Sequence, residues 1–168
     1  MIDGSEHSKR VDAWLQGAPR DLAIEQLLRR FELAFSAILG RAHQTLGEVT
    51  LTAIVDRVLY VAAETYPVVS ALEVEGSAVS CIKLLERTRG LPSEDVVTAV
   101  RFVLVEFFSV LGSLTAEILT PALHAELQHE PGGTQTTRAS RTASRASDDP
   151  DSDRHPHSEG QDDKGIKS

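Results

Sequence analysis

Histidines and carboxylates near residue 125 are the first side chains in this sequence that could bind a metal ion. Glu126 and His129 have the i, i+3 spacing of carboxylate-bridged metal sites in helical bundles, and His124 lies beside them. Such a site needs a second pair of this kind on a facing helix, and the sequence contains no other Glu-x-x-His. We therefore predict no metal site and no bound cofactor.

His43 is the second candidate, because an imidazole on the surface of a helix can accept a phosphoryl group. The run AHQTLG at 42–47 resembles the histidine box of phosphotransfer domains, with an extra residue before Leu46 and no lysine after it. The resemblance implies that His43 is the phosphoryl acceptor. The alternative interpretation is a solvated histidine that favours the negative C-terminal end of its helix.

Signatures of nucleophilic catalysis are missing from the sequence. It has no G-x-S-x-G elbow and no glycine-rich phosphate loop. The single cysteine, Cys81, lies in an apolar run without a neighbouring histidine, which favours a small core residue over a reactive thiol. We predict that the protein is not an enzyme.

The helix that must organise the fold is predicted over 93–120. Ser93 can cap it, and acidic residues in its first turn face the positive helix end. Apolar residues recur at steps of three and four, and further apolar residues between 102 and 111 occupy its other faces. A helix that is apolar all round is buried by neighbours on several sides. A kink or a break is predicted at Pro121, where the ring cannot fit a helix interior.

The remaining elements are predicted to pack around this central helix. Amphipathic spacing predicts helices over 19–46 and 50–65 and a short helix over 78–89. Residues 68–75 are expected to form an irregular connector, with a strand as the alternative. Charged residues within the central helix are expected to pair with the second helix, Arg101 with Asp56 or Glu64, and Glu106 with Arg57. The alternative is that Arg101 and Glu106 line a pocket or an oligomer contact.

The sequence therefore predicts an all-α helical bundle over 19–129, with a flexible segment over 1–18. Residues 130–168 contain almost no large apolar side chains and are predicted to be a disordered Ser/Arg-rich and acidic tail. Arginines precede three serines in this tail, which makes these serines candidates for phosphorylation: Ser140, Ser144 and Ser147.

The net charge and the absence of targeting signals limit which partners and which cellular location we expect. The chain of 168 residues has a formal net charge of −8, which disfavours nucleic acid and anionic membranes. The N-terminus has no apolar signal region. The longest mostly apolar run, 102–114, is shorter than the roughly 20 residues that a helix needs to cross a bilayer. The expected location is the cytoplasm, with no membrane partner.

The predicted helices carry more apolar surface than one small bundle can bury, which favours a homodimer. The expected function is a regulatory or protein-interaction module that binds itself and another, unidentified protein. The alternative is a signalling sensor with an apolar ligand pocket between helices, lined by Phe31, Phe35, Phe102 and Phe107. The candidate interface or pocket residues are Phe31, Phe35, Phe107, Phe108 and Leu111.

Overall fold

A computed structural model describes residues 4–19 and 22–129 of the chain, and it confirms the all-α bundle. A 3-10 turn over Pro67–Ala71 and a two-stranded hairpin interrupt the helices. The predicted tail over 130–168, with its three serines, lies outside the described residues. The elements in chain order are α1 (Gly4–Gln16), α2 (Ile24–Leu46), α3 (Glu48–Thr65), β1 (Glu73–Glu75), β2 (Ala78–Ser80), α4 (Ile82–Arg87), α5 (Ser93–Thr115) and α6 (Thr120–Gln128).

Helix α5 forms the centre of the bundle, as the sequence predicts. It begins at Ser93, with Glu94 and Asp95 in its first turn, and packs against α1, α2, α3 and α6. By length and composition alone α5 could cross a bilayer, a test that the core helices of soluble proteins also pass. Half of its most apolar window is buried inside this bundle.

Helices α2 and α3 form a hairpin around one residue. Gly47 ends α2 and has a φ of 77°, a left-handed value that glycine adopts without steric cost. Its N–H donates to the carbonyl oxygen of His43 at 2.9 Å, and α3 begins at the next residue. Pro67 then ends α3 as expected, because the residue before a proline is driven out of the helical region.

The C-terminal helix breaks earlier than the sequence predicts. Helix α5 ends at Thr115, and Ala116 and Glu117 have φ values of 49° and 62°. Pro121 lies in the first turn of α6, where its missing N–H removes no helical hydrogen bond. Of the two expected outcomes at Pro121, the structure has the break and not the kink: α5 ends before Pro121 could bend it, and the proline begins the next helix.

The stretch between α3 and α5 contains a β-hairpin where the sequence analysis expected a connector and a longer helix. β1 and β2 pair antiparallel with Val74 opposite Val79, around a turn in which Gly76 has a φ of 61°. The segment that pairs with β1 is β2, whose sequence also fits the helix predicted over 78–89, so the sequence shows no partner for a strand. Side chains of α2 hold β2 in place, since the Val79 N–H donates to Ser36 Oγ at 3.1 Å.

The N-terminal segment, expected to be loose, is helical from Gly4 to Gln16 and packs against α5 and α6. Three buried residues, His7, Val11 and Trp14, follow each other at steps of four and three and so share one face of α1. The segment is polar on average, but this one buried face is enough to pack it against the bundle.

Candidate functional site

The predicted interface residues form the aromatic centre of the core. Phe31 and Phe35 stack at 5.3 Å between ring centroids, and Phe107 meets the Phe35 ring edge-on at 5.3 Å. Phe108 lies next to Phe107 at 6.1 Å, and Leu111 is fully buried one turn later. All five side chains are inside a single protomer, so this conformation offers none of them as a dimer surface.

The apolar pocket that would define a sensor does not open at these phenylalanines. The cavity that Phe31 lines, between α2, α5 and the 3-10 turn, measures only about 10 Å³. One water molecule needs a space of this order, and a small-molecule pocket needs a few hundred cubic ångströms. Phe102 lies outside this cavity and packs against Tyr66, with 5.5 Å between the ring centroids.

The charged residues of α5 have different partners from those expected. Arg101 donates from Nε to Asp12 Oδ1 at 2.5 Å, and a further guanidinium nitrogen reaches Asp12 Oδ2 at 3.0 Å and the Ser8 hydroxyl. The hydrogen bond and charge of Arg101 lower the pKa of Asp12 from its ordinary value. The predicted pairs with α3 are wrong, because α1 covers this face of α5. Within the described residues, Glu106 forms no ion pair.

A buried polar cluster, the histidine cluster, joins α1 to the α5–α6 corner. It comprises His7, Glu117, Thr120 and His124. His7 and His124 are only 1% and 4% exposed, and His7 Nδ1 lies 3.2 Å from His124 Nε2. On its other side, His7 Nε2 lies 3.6 Å from Glu117 Oε1. The Thr120 hydroxyl donates to Glu117 Oε2 at 2.7 Å.

These contacts determine where protons can reside in the cluster. The contact between His7 and His124 needs one donor and one acceptor, so the two rings cannot both be fully protonated there. If both histidines are neutral, His124 Nε2–H donates to His7, which leaves the His7 Nε2–H directed at the Glu117 carboxylate. With a single added proton on His7, that ring can donate to both neighbours only if the His124 proton moves from Nε2 to Nδ1, so that His124 Nε2 becomes the acceptor. A second proton on His124 places two donors against each other and breaks the contact.

Burial also disfavours the charged form of His124. Loss of solvent, followed by the positive charges of His7 and Arg10, lowers the pKa of His124 to about 4. The acidic groups that face it, Glu6 on α1 and Glu117 at the corner, act in the opposite direction but are weaker. The ring packs on Phe108 at 4.6 Å between centroids. Burial thus keeps the His124 ring neutral, and the contact between His7 and His124 attaches α1 to the α5–α6 corner.

The corner that carries Glu117 stores backbone strain. Ala116 and Glu117 are both left-handed, a conformation that costs a residue with a side chain about 1 kcal/mol or more. Glu117 packs its carboxylate directly on Gly112, so closely that a Cβ at Gly112 would lie 2.5 Å from Glu117 Oε1. Glycine at 112 is therefore what lets the carboxylate turn inward toward His7.

The other sequence candidates lie apart from this cluster. His43 is exposed in the last turn of α2, and in the described part of the chain its side chain makes no hydrogen bond or ion pair. Cys81 is buried, and burial raises the pKa of its thiol to about 12, which favours the inert interpretation. Among the described residues, no group of three or more His, Cys, Asp or Glu side chains could hold a metal ion.

An exposed stripe on α3 is the clearest unpartnered surface in the described residues. We call it the α3 face and define it as Val49, Ala53, Asp56 and Tyr60. These residues follow at steps of four, three and four and are all exposed, with Val49 at 86% and Tyr60 at 68%. Spacing of this kind places them along one side of the helix, opposite the side that packs on α5.

The histidine cluster and the α3 face are not visible in local sequence patterns, for identifiable reasons. His7 and His124 are 117 positions apart, so no local pattern joins them. The spacing of His7, Val11 and Trp14 was the available signal that α1 is a packed helix with an inward histidine. The α3 face was hidden because both sides of α3 carry apolar residues, and only packing shows which side is covered.

No protein-family model, no curated protein and no solved structure shows significant similarity to this chain. Functional inference therefore depends on the surfaces and clusters described above.

Proposed function

We propose that this protein is a non-enzymatic regulatory module that acts as a homodimer of helical bundles, paired through the α3 face. The observation that carries the proposal is the exposed stripe from Val49 to Tyr60, which presents two large apolar side chains at helical spacing to solvent. Exposed apolar stripes of this kind are typical of helix–helix interaction surfaces.

A second copy fits the middle of this face in an antiparallel register. In a two-fold contact, residue i of one helix faces residue j of the other, and the reverse also holds. If two α3 helices run antiparallel with their midpoint between Asp56 and Arg57, which is exposed beside the α3 face, each Asp56 faces the Arg57 of the other copy. In the same register Tyr60 faces Ala53, so that a large side chain meets a small one. These opposite charges and matched sizes between positions 53 and 60 support self-pairing over an unrelated partner.

The proposal is tested by measuring mass in solution with multi-angle light scattering, from about 1 µM to about 1 mM protein. We expect the mass to rise from the protomer value of 18.2 kDa toward twice that value. Tyr60→Glu should hold the protein at the lower mass, because it places a charge on the face. Ile82→Glu is the matched control, since Ile82 is 69% exposed on α4, away from α3.

Charge reversal tests the pairing register. Asp56→Arg and Arg57→Asp should each weaken the dimer by placing like charges opposite each other, and the double variant should restore it. A protomer mass at every concentration would contradict the proposal. Equal weakening by the single and double variants would contradict the antiparallel register, and weakening by Ile82→Glu would show that the contact lies elsewhere.

The proposed regulatory role follows from the proposed dimer, which would act by binding another macromolecule. A helical homodimer without a catalytic constellation in its described part acts by presenting its surface to another macromolecule. Whether His43 accepts phosphate remains the alternative prediction, and incubation with a phosphodonor such as acetyl phosphate, comparing wild type with His43→Ala, measures it directly.

A further inference from the structure

A groove that shares no residue with the α3 face has the features of a ligand site. It opens between α1, the first turns of α2 and the end of α6, and has a volume of about 280 Å³. Its residues are separate from the α3 face, so the inference below does not depend on the proposed dimer.

The floor of this groove is apolar. Trp14, Ala34 and Leu127 line it with buried side chains, and Leu33 contributes a side chain that is 47% exposed. An aliphatic residue that is half exposed beside buried apolar neighbours is a surface on which an apolar ligand displaces water favourably. The floor therefore selects a ligand with an apolar body.

The rim is basic although the chain as a whole has a formal charge of −8. Arg29, Arg30 and His129 line it, and no acidic side chain does so among the described residues. The Arg30 guanidinium lies 4.6 Å above the centroid of the Trp14 ring, which holds the cation over the floor. Arg29 is exposed and forms no ion pair within the described part of the chain.

We propose that this groove binds a small apolar carboxylate. Its hydrocarbon body would lie on Trp14, Leu33 and Leu127, and its carboxylate would accept hydrogen bonds from Arg29 in the paired geometry that guanidinium favours. The volume holds roughly ten non-hydrogen atoms at about 30 Å³ each. That size fits a medium-chain fatty acid such as octanoate.

Trp14 makes this site directly observable, because it is the only tryptophan of the chain. Octanoate should change the emission of Trp14 in a saturable manner. Octanol, which has the same body without the charge, should bind roughly tenfold more weakly or worse, because it lacks the charge-assisted hydrogen bonds to Arg29. Both titrations use the full-length wild-type protein.

Variants of two arginines on the same helix identify the carboxylate contact. Arg29→Glu should reduce octanoate affinity by tenfold or more, on the order expected for the loss of a charge-assisted contact. Arg41→Glu is the matched control, since Arg41 is an exposed arginine at the far end of α2, outside the groove. Circular dichroism of both variants checks that the helices remain folded.

Three results would overturn the proposal. The first is the absence of any saturable change in Trp14 emission with octanoate. The second is equal binding of octanol and octanoate, which would remove the carboxylate from the recognition. The third is equal loss of affinity in Arg29→Glu and Arg41→Glu, because a general effect of charge would then explain the result. Tyr60→Glu, on the α3 face, should leave octanoate binding unchanged.

Discussion

Acidification should destabilise this protein through the buried ring of His124. In the unfolded chain the histidine takes up a proton below its ordinary pKa of about 6.5, whereas burial lowers the pKa of His124 to about 4 in the folded state. Between these two values the unfolded state binds more protons than the folded state. The free energy of unfolding must therefore fall as the pH falls from about 6.5 to about 4, and it must stop falling from this cause below that.

The magnitude follows from the difference between the two pKa values. Each tenfold change in proton affinity is equivalent to about 1.4 kcal/mol, so a pKa lowered from 6.5 to about 4 gives a loss of about 3 kcal/mol. This is a large fraction of the stability of a small domain, typically about 5 to 15 kcal/mol. Helix α1 should be released first, because the contact between His7 and His124 is one of its attachments to the bundle.

The assay is urea denaturation at pH values between 7 and 4, with wild type and His124→Gln compared at each pH. Glutamine keeps a hydrogen-bonding side chain but does not titrate, so the difference between the two proteins isolates His124 from the carboxylates that titrate in both. We expect the advantage of the wild type to shrink by about 3 kcal/mol over this range. His43→Gln, at an exposed histidine, is the control and should follow the wild type. A constant difference between wild type and His124→Gln would refute the reasoning.

Four further predictions test the packing. Gly112→Ala should lose roughly 1 kcal/mol of unfolding free energy in urea, because the new Cβ would lie 2.5 Å from Glu117 Oε1 and push that carboxylate away from Thr120 and His7, a loss that the better helix propensity of alanine partly offsets. Gly40→Ala meets nothing within 4 Å and should gain about 0.5 to 1 kcal/mol in the same measurement, and a loss there would contradict the packing around α2. Phe107→Ala should lose about 3 to 5 kcal/mol, and a loss below 1 kcal/mol would mean that the ring is not in the core. The Cys81 thiol should resist Ellman's reagent at pH 8 until urea unfolds the protein, and rapid labelling of the native state would contradict its burial.

The main helices were predictable because their information is local. Spacing at three and four residues, a glycine after α2, a proline after α3 and acids at the start of α5 each act within one or two turns. Helix α1 could also have been predicted from the stripe of His7, Val11 and Trp14. It was expected to be loose because its average composition is polar, although packing depends on one face only.

The hairpin and the α5–α6 corner illustrate where local patterns were insufficient. β2 has a sequence that also suits a helix, and it is a strand because β1 pairs with it and side chains of α2 bind its backbone. Pro121 signals a break, but a proline ends one helix or begins the next depending on its position. Here the left-handed conformations of residues 116 and 117 end α5, and Pro121 lies in the first turn of α6, with the Glu117 carboxylate packed on Gly112.

The candidate sites show most clearly which features depend on local sequence and which depend on tertiary packing. The sequence by itself determined that the chain is a helical bundle whose central helix carries apolar residues on all sides. Helical periodicity, capping residues, glycines and prolines are local signals, so they can be recognised without knowledge of the tertiary structure. Only the tertiary structure decided which apolar side chains are covered, so Phe107 and Phe108 are core and Val49 and Tyr60 are surface. It also brought His7 against His124 across 117 positions. Burial and the pairing of distant charges depend on how helices are arranged in space, and one helix pattern is compatible with many such arrangements.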